Sequence, residues 1–128
     1  MRRLTFYPTL QEALYLHEKL IQEFGGKVGV RDLGLLESSL SRPKSGYYET
    51  LAEQGAALFQ SLAMNHCFID GNKRVAFALT AVFFQLNGFF LKVGAKEGER
   101  FIVQNAIVNK LDVAGIATWF ERRLKKLS

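Results

Sequence analysis

His66-Cys67-Phe68-Ile69-Asp70-Gly71-Asn72-Lys73-Arg74, HCFIDGNKR, stands directly ahead of an apolar run and decides how the chain is read. A base, a carboxylate, a glycine turn and two cations fall within one short stretch at the expected start of a helix. A helix start leaves backbone N–H groups without intrahelical partners and carries a partial positive charge, so anions bind there readily. Lys73 and Arg74 add full charges at that end, one as a mobile point charge and the other as a planar fork for phosphate oxygens. Gly71 allows a positive φ, and the amides from Gly71 to Arg74 are expected to converge on a phosphate. Asp70 would repel that phosphate unless a cation stood between them. Mg²⁺ suits one carboxylate plus phosphate oxygens, whereas zinc would need more nitrogen or sulfur ligands. His66 is then placed to take a proton from an attacking hydroxyl, and Phe68 is read as a core anchor that keeps the turn rigid. The reaction class is phosphoryl or nucleotidyl transfer.

Outward from this stretch the pattern is helical. Thr9 and Glu12 have capping-box spacing, and Leu10, Ala13, Leu14, His17, Ile21 and Phe24 recur at helical intervals until Gly25-Gly26. His17 on that stripe is read as a packed histidine bonded to a neighbouring carbonyl, outside the site. A second helix is expected from Asp32 to before Pro43, with Leu33, Leu36 and Leu40 inward. Residues 44–49, KSGYYE, form a loop whose two tyrosines either cover the core edge or line the mouth of a site as a flap, with packing the favoured reading. Thr50 and Glu53 cap a third helix that delivers His66 at its C-terminal end. Asn72 starts a fourth helix, running to Asn87 and stopped by Gly88. It is apolar on nearly every side, as for the centre of a bundle. Phe89 to Val93 reads as a short strand paired with Leu4 to Tyr7. Helical periodicity returns from Lys96 to Val108, and Asp112 caps a last helix with Ile116, Phe120 and Leu124 inward. The expected fold is an all-α helical bundle of about six helices with one short β pairing, forming one domain over residues 1–128.

Bulk properties narrow the classes. The chain has 128 residues, 48% of them hydrophobic, enough for a core without a metal or disulfide. Its one cysteine, Cys67, excludes an intrachain disulfide and points to the cytoplasm. Met1-Arg2-Arg3 is basic, but no apolar core of a signal peptide follows, and the longest apolar stretch, Val75 to Leu86, is too short for a membrane span. No membrane association is expected. Net charge is +5, and Arg122, Arg123, Lys125 and Lys126 are read as a solvated helix end rather than a nucleic-acid surface. No direct DNA binding is expected. A ribonuclease reading fares worst, since only two histidines exist and His17 is read as packed.

HCFIDGNKR resembles the Fic/Doc (Fido) motif, HxFx(D/E)GN followed by GR in Fic proteins and KR in the Doc branch. The flanking GGKVGVRDLGLLESSLSRP and VAFALTAVFFQLNGF resemble death-on-curing (Doc) toxins. The resemblance implies a Fido fold and an ATP-using transferase acting on a protein hydroxyl. Doc relatives phosphorylate a threonine of elongation factor Tu and stop translation, whereas Fic relatives attach AMP. Carried over, His66 is the base, Phe68 the anchor and Asp70 the Mg²⁺ ligand, while Gly71, Asn72, Lys73 and Arg74 form the anion hole and phosphate clamp. Cys67 replaces the Fic proline, Lys73 replaces a glycine, and Phe77 stands where Fic enzymes have a further arginine. These departures favour transfer of the terminal phosphate. An inhibitory Ser/Thr-x-x-x-Glu-Gly/Asn pattern is not met, because Thr50 follows Ser45 to Glu49. Restraint by a small antitoxin resembling Phd, acidic where it binds, is the implied alternative. A protein AMP-transferase and a catalytically silent Fido-fold binding module remain as the other readings.

Overall fold

The computed structural model describes residues 4–127; Met1-Arg2-Arg3 lies outside them. Six helices and a two-stranded antiparallel sheet succeed one another along the chain. Helix α1 spans Leu10–Phe24, with Thr9 and Glu12 each accepting the other's backbone N–H, and stops at Gly25, whose φ is 86°. Helix α2, Leu33–Ser41, is capped by the Asp32 carboxylate and runs into a 3-10 turn, Arg42–Lys44, carrying Pro43. Leu36 and Leu40 are buried, but Leu33, expected inward, is 48% exposed at the first position of α2.

Helix α3, Leu51–Met64, has a second capping box from Thr50 and Glu53, and α4 spans Asn72–Leu86. The sequence places α4 at the centre; the structure gives that position to α3, which buries nine residues against six for α4. The reason is size. Ala52, Gly55, Ala56, Ala57 and Ala63 bring neighbouring elements close, and Gly55 seats the Phe84 ring where any Cβ would collide with it. Part of the apolar surface of α4 borders a cleft instead: Ala78 and Ala81 line it, and so does Phe77, whose ring also meets Phe59 of α3 edge-on.

The remaining corrections concern the last third of the chain. Strand β1, Phe89–Leu91, pairs with β2, Leu124–Lys126, and not with Leu4 to Tyr7. Beside the 4–7 segment, the Asn87 side chain bonds both the N–H and the carbonyl of Phe6, taking the place a strand would have. The expected helix over 96–108 is divided into α5, Ala95–Arg100, and a wider segment, Phe101–Val108, with i→i+5 geometry. Helix α6, Val113–Glu121, capped by Asp112, buries Ile116 and Phe120 but ends before Leu124. Hence Leu124, Lys125 and Lys126 are strand residues rather than a helix end. Arg123 completes α6 by donating to the Trp119 carbonyl while its guanidinium meets Glu97 at 3.1 Å. Tyr47 is 82% exposed, so only Tyr48 covers the core edge, its hydroxyl accepting from Arg42 Nε. No helix among the described residues is long and apolar enough to cross a membrane.

Candidate active site

The polypeptide leaves α3 at Asn65 and enters α4 at Asn72, and the seven-residue connection between them is held from three directions. From below, Phe68 is 1% exposed and stacks on the His17 ring, centroids 3.9 Å apart and planes 11° from parallel. Its neighbour Ile69 is 53% exposed and takes no part in the anchor. From within, the Asn72 amide accepts from Phe68 N–H and donates to Phe68 C=O, both at 2.9 Å. From the side, residues 29–32 run antiparallel to 67–69, with Val30 bridged to Phe68 and Ile69 N–H donating to Gly29 C=O.

His17 binds the loop as well. Its Nε2 lies 2.7 Å from the Asp70 carbonyl, and since a carbonyl only accepts, that nitrogen carries the hydrogen. The sequence reads a packed, carbonyl-bonded histidine correctly; what it does not show is that the carbonyl belongs to the site, 53 residues away. Gly71 is left-handed at φ 76° and caps α4, and a Cβ there would press on Ile21 at 3.2 Å. This is a position glycine fills because of both conformation and space.

His66 lies beyond the end of α3 rather than on it, with φ 49°, a left-handed value that costs a non-glycine residue roughly 1–2 kcal/mol. The turn removes it from the apolar stripe of α3 and exposes it at the wall of a cleft of about 960 Å³. Asp70, Gly71, Asn72, Lys73 and Arg74 line the same cleft. Opposite them stand Leu91, Val93 and the start of α5, a wall that the reading of the motif alone does not reveal. Leu20 and Phe24 of α1 close one flank, and the Arg74 guanidinium rests over the Phe24 ring, 4.8 Å from its centroid.

Two expected donors are already engaged. Gly71 N–H donates to Asp70 Oδ1 at 2.8 Å, and the Asn72 side chain is spent on Phe68. The N–H groups left open at the start of α4 are then those of residues 72–74, which no side chain caps. Asp70 Oδ2 accepts Lys27 N–H at 3.1 Å, tying the α1–α2 loop to the motif. That bond first, and the Gly71 bond second, hold the carboxyl below its ordinary value of 3.8. A lowered folded pKa contributes stability that is complete above about pH 4 and fades as pH falls through the folded value. In urea titrations, the unaltered protein should lose stability more steeply below about pH 4 than Asp70→Asn does; parallel profiles would mean the tether is not felt.

The donor set bears on metal binding. Among the described residues no three His, Cys, Asp or Glu side chains gather into a cage. Asp70 keeps lone pairs free beside the uncapped start of α4, a donor set that would fit Mg²⁺ held by one carboxylate, waters and substrate oxygens. Cys67 is buried against Ser39, its thiol pushed up by burial, and lies behind the site rather than in it. Arg31, Lys27 and His17 are the site residues that the motif does not contain. Arg31 and Lys27 carry no local signal; His17 interrupts an apolar stripe, which is a signal, but not of which carbonyl it bonds.

Comparison with known proteins agrees with this architecture. The model of the Fic/DOC family matches residues 7–84, which include α1 to α4 up to Phe84 and the whole loop. Toxin Doc of Mycolicibacterium smegmatis is 46% identical over 70 residues, covering 51% of this chain and 54% of that protein. The chain thus spans about half the length of that relative. Protein kinase doc of Escherichia phage P1 is 32% identical over 102 residues, covering 70% of this chain and 81% of that protein. The chain belongs to the Fic/DOC family, with these two relatives both on its Doc side.

Proposed function

We propose that the chain, acting as one unit over residues 1–128, is a Doc-like toxin that transfers the terminal phosphate of ATP to a protein hydroxyl. The target is a threonine of elongation factor Tu, and the result is arrested translation. The observation that carries the reading is the shared lining of one cleft by His66 and the cationic start of α4. A volume of about 960 Å³ accommodates a nucleotide, lying near the upper end of the roughly 300–1,000 Å³ usual for ligand pockets.

In this mechanism the N–H groups of residues 72–74 and the Lys73 ammonium hold phosphate oxygens, and Arg74 swings from the Phe24 ring to grip them bidentately. Asp70 would hold Mg²⁺, which when bound offsets phosphate charge. His66 accepts the proton of the attacking hydroxyl as the new P–O bond forms and ADP leaves. Because His66 is at the surface, a folded protein target can bring its hydroxyl to the imidazole. Phe77 contributes an apolar wall instead of a further cation, and the relative named protein kinase doc supports phosphate over nucleotide transfer. Restraint comes in trans, from an antitoxin resembling Phd with an acidic neutralising segment, as a +5 protein favours.

Incubating the protein and elongation factor Tu with Mg-ATP labelled at the α or the γ phosphate tests this. Label from the γ position should stay on the target. Label from the α position would make the protein an AMP-transferase, and no label from either would leave a binding module.

A further inference from the structure

Arg31 stands 35 residues before His66 and outside the motif, yet it makes more bonds to the stretch from 65 to 67 than any bulk property of the sequence suggests. Its N–H and that of Asp32 both donate to the Cys67 carbonyl, at 2.8 and 3.0 Å. Its side chain turns to the residues just before: Nε donates to His66 C=O, and Nη2 donates to Asn65 C=O at 2.9 Å. One residue therefore engages three successive carbonyls, those on either side of the left-handed turn at His66 included.

Asn65 is the C-cap of α3, where a helix leaves its last C=O groups unpartnered, and the His66 carbonyl follows just beyond it. Both carbonyls are at an exposed edge, so water would satisfy them, and folding does not require a guanidinium there. What a planar two-point donor adds is orientation. It fixes two consecutive peptide planes relative to each other, and these planes set where the side chain of residue 66 leaves the backbone. A lysine could satisfy one carbonyl but could not fix the pair.

We propose that Arg31 is a positioning residue for His66, clamping the Asn65 and His66 peptides in the left-handed turn that presents the imidazole to the cleft. The inference rests on His66 serving as the proton acceptor in the function proposed above. Arg31 touches no substrate in this scheme and acts through the backbone alone.

Arg31→Met and Arg31→Lys test it with two independent measurements. For transfer of γ-phosphate to elongation factor Tu, kcat should fall about tenfold or more in both variants, with KM for ATP within about twofold, as for a misplaced base with intact nucleotide binding. Guanidinium ion added to Arg31→Ala should restore part of the rate. In the protein without ATP, the ¹³C shifts of the His66 backbone should move away from left-handed values in Arg31→Met, while those of Gly71 stay in place. Unchanged His66 shifts would overturn the clamp, and so would an unchanged kcat. A fall in kcat accompanied by a rise in KM and lost thermal stability would also overturn it, by showing a merely structural role. If the unaltered protein transfers no phosphate, the functional reading fails, and the His66 shifts still decide whether Arg31 sets the turn.

Discussion

Replacing His66 with alanine should lower phosphate transfer by roughly 10²- to 10⁴-fold, the usual contribution of a positioned general base, with almost no change in thermal stability. The imidazole is exposed, and among the described residues its ring makes no hydrogen bond that folding would miss. Alanine has the same Cβ at φ 49°, so the strain of the turn is the same in both proteins. ATP binding should survive, because the amides of residues 72–74 and the cations of Lys73 and Arg74 are untouched. Steady-state transfer, nucleotide affinity and a melting curve on one preparation check all three parts. A variant retaining more than about a tenth of the rate would remove His66 from the role of base.

The largest stability effect is expected at Phe68. It is a fully buried phenylalanine, and Phe→Ala in such a site costs about 3–5 kcal/mol through lost transfer energy and the cavity left behind. For a chain of this size that corresponds to a fall in melting temperature of roughly 10–20 °C. The effect should reach the active site before the protein melts. Phe68 is the surface on which His17 stacks, and His17 in turn holds the Asp70 carbonyl, so removing the ring frees the loop from α1. Urea unfolding gives the stability change, and transfer assayed well below the melting point gives the local one. A loss under about 1 kcal/mol would mean the anchor is dispensable.

The helices were legible because their signals are local. Thr9–Glu12 and Thr50–Glu53 close reciprocal capping boxes within a single turn, and Asp32 and Asp112 each cap through one N–H three residues on. Pro43 and Gly88 mark stops for equally local reasons. The strand partner was not legible. Phe89 to Leu91 alternates suitably for any neighbour, and whether 4–7 or 124–126 lies alongside depends on where α6 ends and how it crosses α3. The same limit explains α4. Its apolar residues show that its faces avoid water, but not that Phe77, Ala78 and Ala81 border a cleft while the small residues of α3 occupy the centre.

Two details of the motif's geometry were not legible in the sequence. Asn72 and Gly71 looked like free phosphate donors, yet each has a partner within the loop, since a tight turn uses its nearest polar groups to satisfy its own backbone. His66 looked like the last residue of a helix, because its spacing continues the stripe of α3. The turn that moves it into the cleft is a left-handed one that no helical periodicity announces.

By itself the sequence determined which segments are helical, where most of them begin, and that a base, a carboxylate and two cations gather at one helix start. All of this is encoded within a few residues, by capping groups, apolar spacing and charge. The tertiary structure alone decided the backbone turn at His66, the latch from His17, the clamp from Arg31 and the far wall of the cleft. Each depends on groups brought together from distant parts of the chain, 53 positions apart for His17 and Asp70 and 35 for Arg31 and His66, and such contacts form only when the whole chain packs.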